Sequence, residues 1–63
     1  MDLAAALVRL RPDVRVAVVL VHSYGWSYDE VGHLLDVPIS TVRNHVHRGL
    51  RRLEKLLGSD DEH

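Results

Sequence analysis

The sequence predicts an all-α fold, a small helical bundle of about four helices. Three observations carry that expectation. Apolar residues recur at intervals of three or four rather than two. Helix-starting and helix-stopping residues divide the chain into four segments. A chain of 63 residues without cysteine has neither disulfides nor thiolate metal sites to support it, so packed apolar side chains must hold it together.

Asp2 is placed to cap a first helix over about 3–10, in which Leu3, Leu7 and Leu10 repeat at helical spacing. Pro12 disfavours helical geometry at Arg11 and suits the first turn of a second helix, over about 13–23, with Asp13 near the positive end of its dipole. Val14, Ala17, Val18, Leu20 and Val21 give that helix a broad apolar surface. So many β-branched residues also suit a strand, but the start is well marked and no second strand exists to pair with it. Gly25 breaks the segment.

Ser27 and Glu30 form the pattern of a capping box, with Trp26 and Val31 at the positions of a hydrophobic staple. The third helix, about 27–36, is expected to bury Val31, Leu34 and Leu35, with Gly32 leaving room for a close neighbour. After Asp36 and Val37, Pro38 opens a fourth helix over about 38–57, stopped by Gly58. Ile39, Val42, Val46, Leu50, Leu53 and Leu57 form its apolar stripe, and Arg43, Asn44, His47, Arg48 and Arg51 lie away from that stripe. Residues 1–58 are thus expected to form one domain and 59–63 a polar tail.

The net charge is -1, yet five of the eight Lys and Arg residues fall between Arg43 and Lys55, against the single acid Glu54. Two helices joined by a tight turn, the second with a basic exposed side, are the ingredients of a helix-turn-helix. In that motif the second helix enters the DNA major groove. Arginine pairs with guanine, asparagine with adenine, and a threonine methyl meets thymine. Arg43, Arg48, Asn44 and Thr41 supply those groups, and Arg51, Arg52 and Lys55 are better placed for phosphates or another partner.

The run SYGWSYDEVGHLLDVPISTVRNHVHRGLRRLEKLL, extended upstream by LRPDVRVAVVLVHSYG, resembles domain four of bacterial extracytoplasmic-function sigma factors. The resemblance implies a helix-turn-helix that recognises the promoter −35 element in double-stranded DNA, docks on the β flap of RNA polymerase and is a target for an anti-sigma factor. It places Arg43, Asn44, His47 and Arg48 at base-facing and phosphate-facing positions, and Ser27 and Tyr28 near the DNA backbone. With Ser40, Thr41 and Arg51 from the exposed side of the helix, these complete the expected DNA-binding set. Asp36 stands where that family usually has Gly, and His45 and His47 stand where Arg, Lys or an apolar residue is commoner. The promoter-melting domain of a complete sigma factor has no counterpart here, so a fragment of a longer protein is expected.

Two rivals fit parts of the pattern. TVRNHV also resembles the recognition helix of LuxR-type regulators, which bind as dimers to palindromes. A protein-interaction module would instead use the apolar and basic surfaces for polymerase or an anti-sigma factor alone. Catalysis is not expected, since no Gly-rich phosphate loop or supported nucleophile and base is present. No cofactor or metal is expected either: His45 and His47, two apart on a helix, point in different directions. A pH-responsive role near phosphates remains open to both. Without an apolar run near the ~20 residues that cross a bilayer or a signal-type N-terminus, a cytoplasmic monomer is the expectation.

Overall fold

The computed structural model describes residues 1–58; the expected tail, 59–63, lies outside the described residues. Four helices follow in order: α1 Leu3–Val8, α2 Pro12–Tyr24, α3 Tyr28–Leu35 and α4 Ile39–Leu57. No strand occurs among the described residues, so the valine-rich second segment is helical. None of the described helices is long and apolar enough to cross a membrane.

The boundaries follow from local chemistry. The Asp2 carboxylate accepts the Ala5 N–H at 2.8 Å and starts α1. That helix stops at Val8 rather than near Leu10. The Arg9 N–H turns to the Ala6 carbonyl and the Leu10 N–H to the Leu7 carbonyl, a tightening of the last turn that carries Leu10 into the core. Pro12 occupies the first position of α2, where its missing N–H costs nothing. Gly25 ends α2 with φ of 75°, a left-handed geometry that glycine adopts without steric cost, and the Trp26 N–H then reaches the Leu20 carbonyl.

The capping box of α3 is complete. Ser27 Oγ accepts the Glu30 N–H at 3.0 Å, and Glu30 Oε1 accepts the Ser27 N–H at 2.8 Å. Asp36 closes the helix with φ of 60° and ψ of 50°. Pro38 precedes α4 rather than opening it: its ψ of 157° is extended, and its carbonyl accepts the Thr41 and Val42 N–H groups.

Two apolar clusters join the elements. Ala6, Leu10, Val14, Val18 and Leu53 tie α1 and α2 to the C-terminal half of α4. Ala17, Val31, Val42 and Val46 tie α2 and α3 to its N-terminal half. Small side chains dominate both, so the helices approach closely and α4 serves as the spine on which the other three pack.

That close approach corrects the expected apolar faces. Gly49 is buried on α4, whereas Ile39, Leu50 and Leu57 stay about two-fifths exposed (42%, 38% and 41%). Ala6 fills the α1 contact while Leu3 is exposed. On α3, Val31 is fully buried but Leu34 is 56% exposed. Trp26 and Tyr24 are also exposed, so the tryptophan lies at the rim and is not part of either core cluster.

Candidate nucleic-acid interface

Successive residues of an α-helix advance by about 100°. On α4 that rotation sets Arg43, His47, Ser40, Arg51, Asn44, Arg48 and Thr41 in order around one arc of roughly 160°, facing away from buried Val42, Val46 and Leu53. Six of the seven are exposed, and Thr41 is half-buried. The expected α4 set is therefore brought to one surface, with Asn44 and Arg51 near its middle and Arg43 and Arg48 toward its edges. Over the length from Ser40 to Arg51 the strip runs about 16 Å, from the ~1.5 Å rise per residue.

One edge borders α3. The Arg43 guanidinium carbon stands 5.6 Å from the centroid of the Tyr28 ring, within the range of a cation–π contact. Tyr28 is half-buried and packs against the Val31, Val42 and Val46 cluster, so a core residue steadies the arginine. Ser27 is exposed beside it, with its hydroxyl oxygen already accepting the Glu30 N–H. The two α3 residues of the expected set thus lie at the N-terminus of that helix, whose capping box occupies the Glu30 N–H and whose first turn also carries the carboxylates of Asp29 and Glu30.

The other edge borders the junction of α1 and α2. Here His45 departs from the expectation of a solvent-facing position near phosphates. It is only about one-fifth exposed, and its Nε2 stands 3.5 Å from Asp13 Oδ2 across the α2–α4 seam. His47, in contrast, is on the exposed arc. Farther along, Arg9 and Arg11 share a groove with Arg48 and Arg52. The sequence flagged Arg52 but neither Arg9 nor Arg11. Their signal was the RLR stretch around Leu10, a core residue whose burial necessarily sets its two basic neighbours at the surface.

Every fully buried side chain among the described residues is apolar, and no buried side-chain nitrogen or oxygen lacks a hydrogen-bond partner. Chemistry at this site therefore resides in its exposed donors. Seven side chains of one helix, bordered by the start of α3 on one edge and an arginine-lined groove on the other, form a single surface of hydrogen-bond donors and cations.

A family model described as "Sigma-70, region 4" matches residues 1–53. The chain belongs to the sigma-70 region 4 family. Two relatives of this region 4 domain carry names that state their class. "ECF RNA polymerase sigma factor SigE" of Mycolicibacterium smegmatis is 48% identical over 56 residues, covering 89% of this chain and 22% of that protein. "RNA polymerase sigma factor CarQ" of Myxococcus xanthus is 45% identical over 53 residues, covering 84% of this chain and 30% of that protein. The region 4 domain thus spans less than a third of the length of these curated relatives.

Proposed function

We propose that this region 4 domain recognises the −35 element of promoter DNA and serves as a sigma factor module in transcription initiation. The single observation that carries the proposal is the outward arc of α4, which gathers Ser40, Thr41, Arg43, Asn44, His47, Arg48 and Arg51 opposite the core. An α-helix about 10–12 Å across fits a major groove about 12 Å wide. In that pose helical rotation turns Asn44 toward the groove floor together with Arg51, which sequence order alone assigns to phosphates. Ser40 and His47 lie beside them, and Ser27 and Tyr28 meet a phosphate backbone from the start of α3.

Residues 1–58 act as one domain, as a cytoplasmic monomer attached to RNA polymerase. Exposed Leu34, Ile39 and Trp26 lie off the α4 arc and support a protein-facing role for the remaining surface. That surface suits the polymerase β flap, or an anti-sigma factor that competes with it. The work is binding, and no catalytic step is assigned.

Selection from a pool of duplexes randomised over one helical turn tests the proposal. Anisotropy titrations of the selected duplex and a scrambled one then follow across a salt series. The expected result is a defined enriched sequence, preferred over the scrambled duplex, with affinity falling steeply as salt rises. Equal, weak binding to both duplexes would overturn it.

A further inference from the structure

Arg9 and Arg11, at the α1–α2 junction, and Arg48 and Arg52, on α4, line one groove with Leu10, Val14 and Gly49 at its base. It adjoins a second groove lined by Arg48, Arg51, Arg52 and Lys55. Six of the eight Lys and Arg residues of the chain therefore border one continuous depression, and no acid lines either part. The close contacts between carboxylates and basic side chains among the described residues, His33 with Asp29 and His45 with Asp13, involve none of these cations. Glu54, next to Lys55 in sequence, lines neither part, and Asp13, two residues from Arg11, has its Oδ1 accepting the Val14 N–H at 2.9 Å and its Oδ2 facing His45. Collecting like charges at one place costs mutual repulsion that an anionic occupant relieves.

We propose that Arg9 and Arg11 grip the DNA phosphate backbone on the side of the major groove opposite the one met by α3, which makes the domain a two-sided clamp. The inference rests on the DNA-binding function proposed above and extends it to residues outside the helix-turn-helix. A helix that fills the major groove leaves whatever flanks it against the two phosphate backbones. One flank of α4 is the N-terminus of α3, with Tyr28 beside Arg43. The opposite flank is the α1–α2 junction. Arg48 belongs both to the outward arc and to the groove, so the cationic depression continues the DNA-facing surface around the helix instead of forming a separate one. The base of the groove is core already, with Leu10 6% and Val14 9% exposed. Above that base the four guanidinium groups of Arg9, Arg11, Arg48 and Arg52 supply the hydrogen-bond donors of the groove. These donors match phosphate oxygens.

The test compares the wild-type domain with the double variants Arg9→Ala/Arg11→Ala and Arg9→Lys/Arg11→Lys, on the selected and scrambled duplexes, between 50 and 200 mM salt. Both arginines are exposed, and Arg11 makes no side-chain capping bond, so the urea midpoints of all three proteins should coincide. Each lost phosphate contact lowers the slope of log affinity against log salt by about 0.9. The alanine variant should therefore lose about 1.8 from its slope, so that its affinity falls roughly tenfold less over this salt range. Its preference for the selected duplex should persist, and the lysine variant should regain the slope. An alanine variant with unchanged slope and affinity, beside a wild type that prefers its selected duplex, would overturn the clamp while leaving the DNA function standing. The groove would then belong to an acidic protein segment. A wild type that binds neither duplex would overturn both.

Discussion

Gly49 of α4 lies directly against Val18 of α2: a Cβ added at Gly49 would overlap Val18 Cγ2 and stand 2.9 Å from Val14 Cγ1. The two helices touch where one has no side chain, and this contact sets how far the outward arc of α4 stands from α2. Valine is stiff at χ1, so neither methyl group can turn aside cheaply. Gly49→Ala gains up to ~1 kcal/mol of helix propensity against an overpacking cost of about 1–3 kcal/mol. A net loss of about 1 kcal/mol is expected in urea unfolding. A variant more stable than wild type would show that the helices separate without cost.

Gly32 occupies an even less forgiving place. A Cβ there would come 2.8 Å from the Val37 carbonyl oxygen, which is backbone and belongs to the turn between α3 and α4. The Val37 N–H also donates to the Gly32 carbonyl at 3.0 Å, so the turn cannot withdraw without losing that bond. Gly32→Ala should therefore cost about 2 kcal/mol, more than the Gly49 substitution. DNA affinity should fall beyond what unfolding explains, because the angle between α3 and α4 changes. Equal affinity per folded molecule would argue that the turn does not set the DNA pose.

Ser27 offers a test of local structure with little packing involved. Loss of its hydroxyl in Ser27→Ala removes one half of the capping box and should cost about 1 kcal/mol, whereas Ser27→Gly should cost only a few tenths. Chemical denaturation of both variants separates the two. If neither variant is destabilised, the side-chain bond to the Glu30 N–H is not what holds the start of α3.

Such local signals were the most legible part of the fold. Asp2, Pro12, Gly25, Ser27 and Asp36 each act on backbone within a few residues, so their effect could be derived from the order of the residues alone. Asp36 shows this well, since its φ of 60° is a geometry that aspartate visits more readily than most residues. The facing of α4 was only partly legible. Counting large apolar residues selects Leu50, but close helix packing favours the smallest side chain, and Gly49 takes the buried position. Leu34 and Trp26 looked like core residues for the same reason and are exposed. In the candidate site, the arc on α4 followed from helical rotation. The inward turn of His45 toward Asp13 and the approach of Arg9 and Arg11 to Arg48 did not, because both depend on where α2 docks.

Asn44 and Arg48 lie on the same arc but should fail differently when removed. Asn44 is near the middle of the arc, where a short amide reaches base edges and can pair with both adenine N6 and N7. Asn44→Ala should lower affinity for the selected duplex by about 1–3 kcal/mol and leave binding to the scrambled duplex almost unchanged. Arg48 is at the edge and shares its groove with Arg9 and Arg52, which favours phosphate over base. Arg48→Ala should weaken both duplexes to a similar degree and reduce the salt slope by about 1. Both side chains are exposed, so neither change should move the unfolding midpoint by more than about 0.5 kcal/mol. Anisotropy titrations of the two variants on the two duplexes measure all four affinities. If Arg48→Ala instead abolishes the preference while Asn44→Ala lowers affinity uniformly, the base-reading centre lies farther toward the α1–α2 side of α4. The pose of the helix in the groove would then be rotated in that direction.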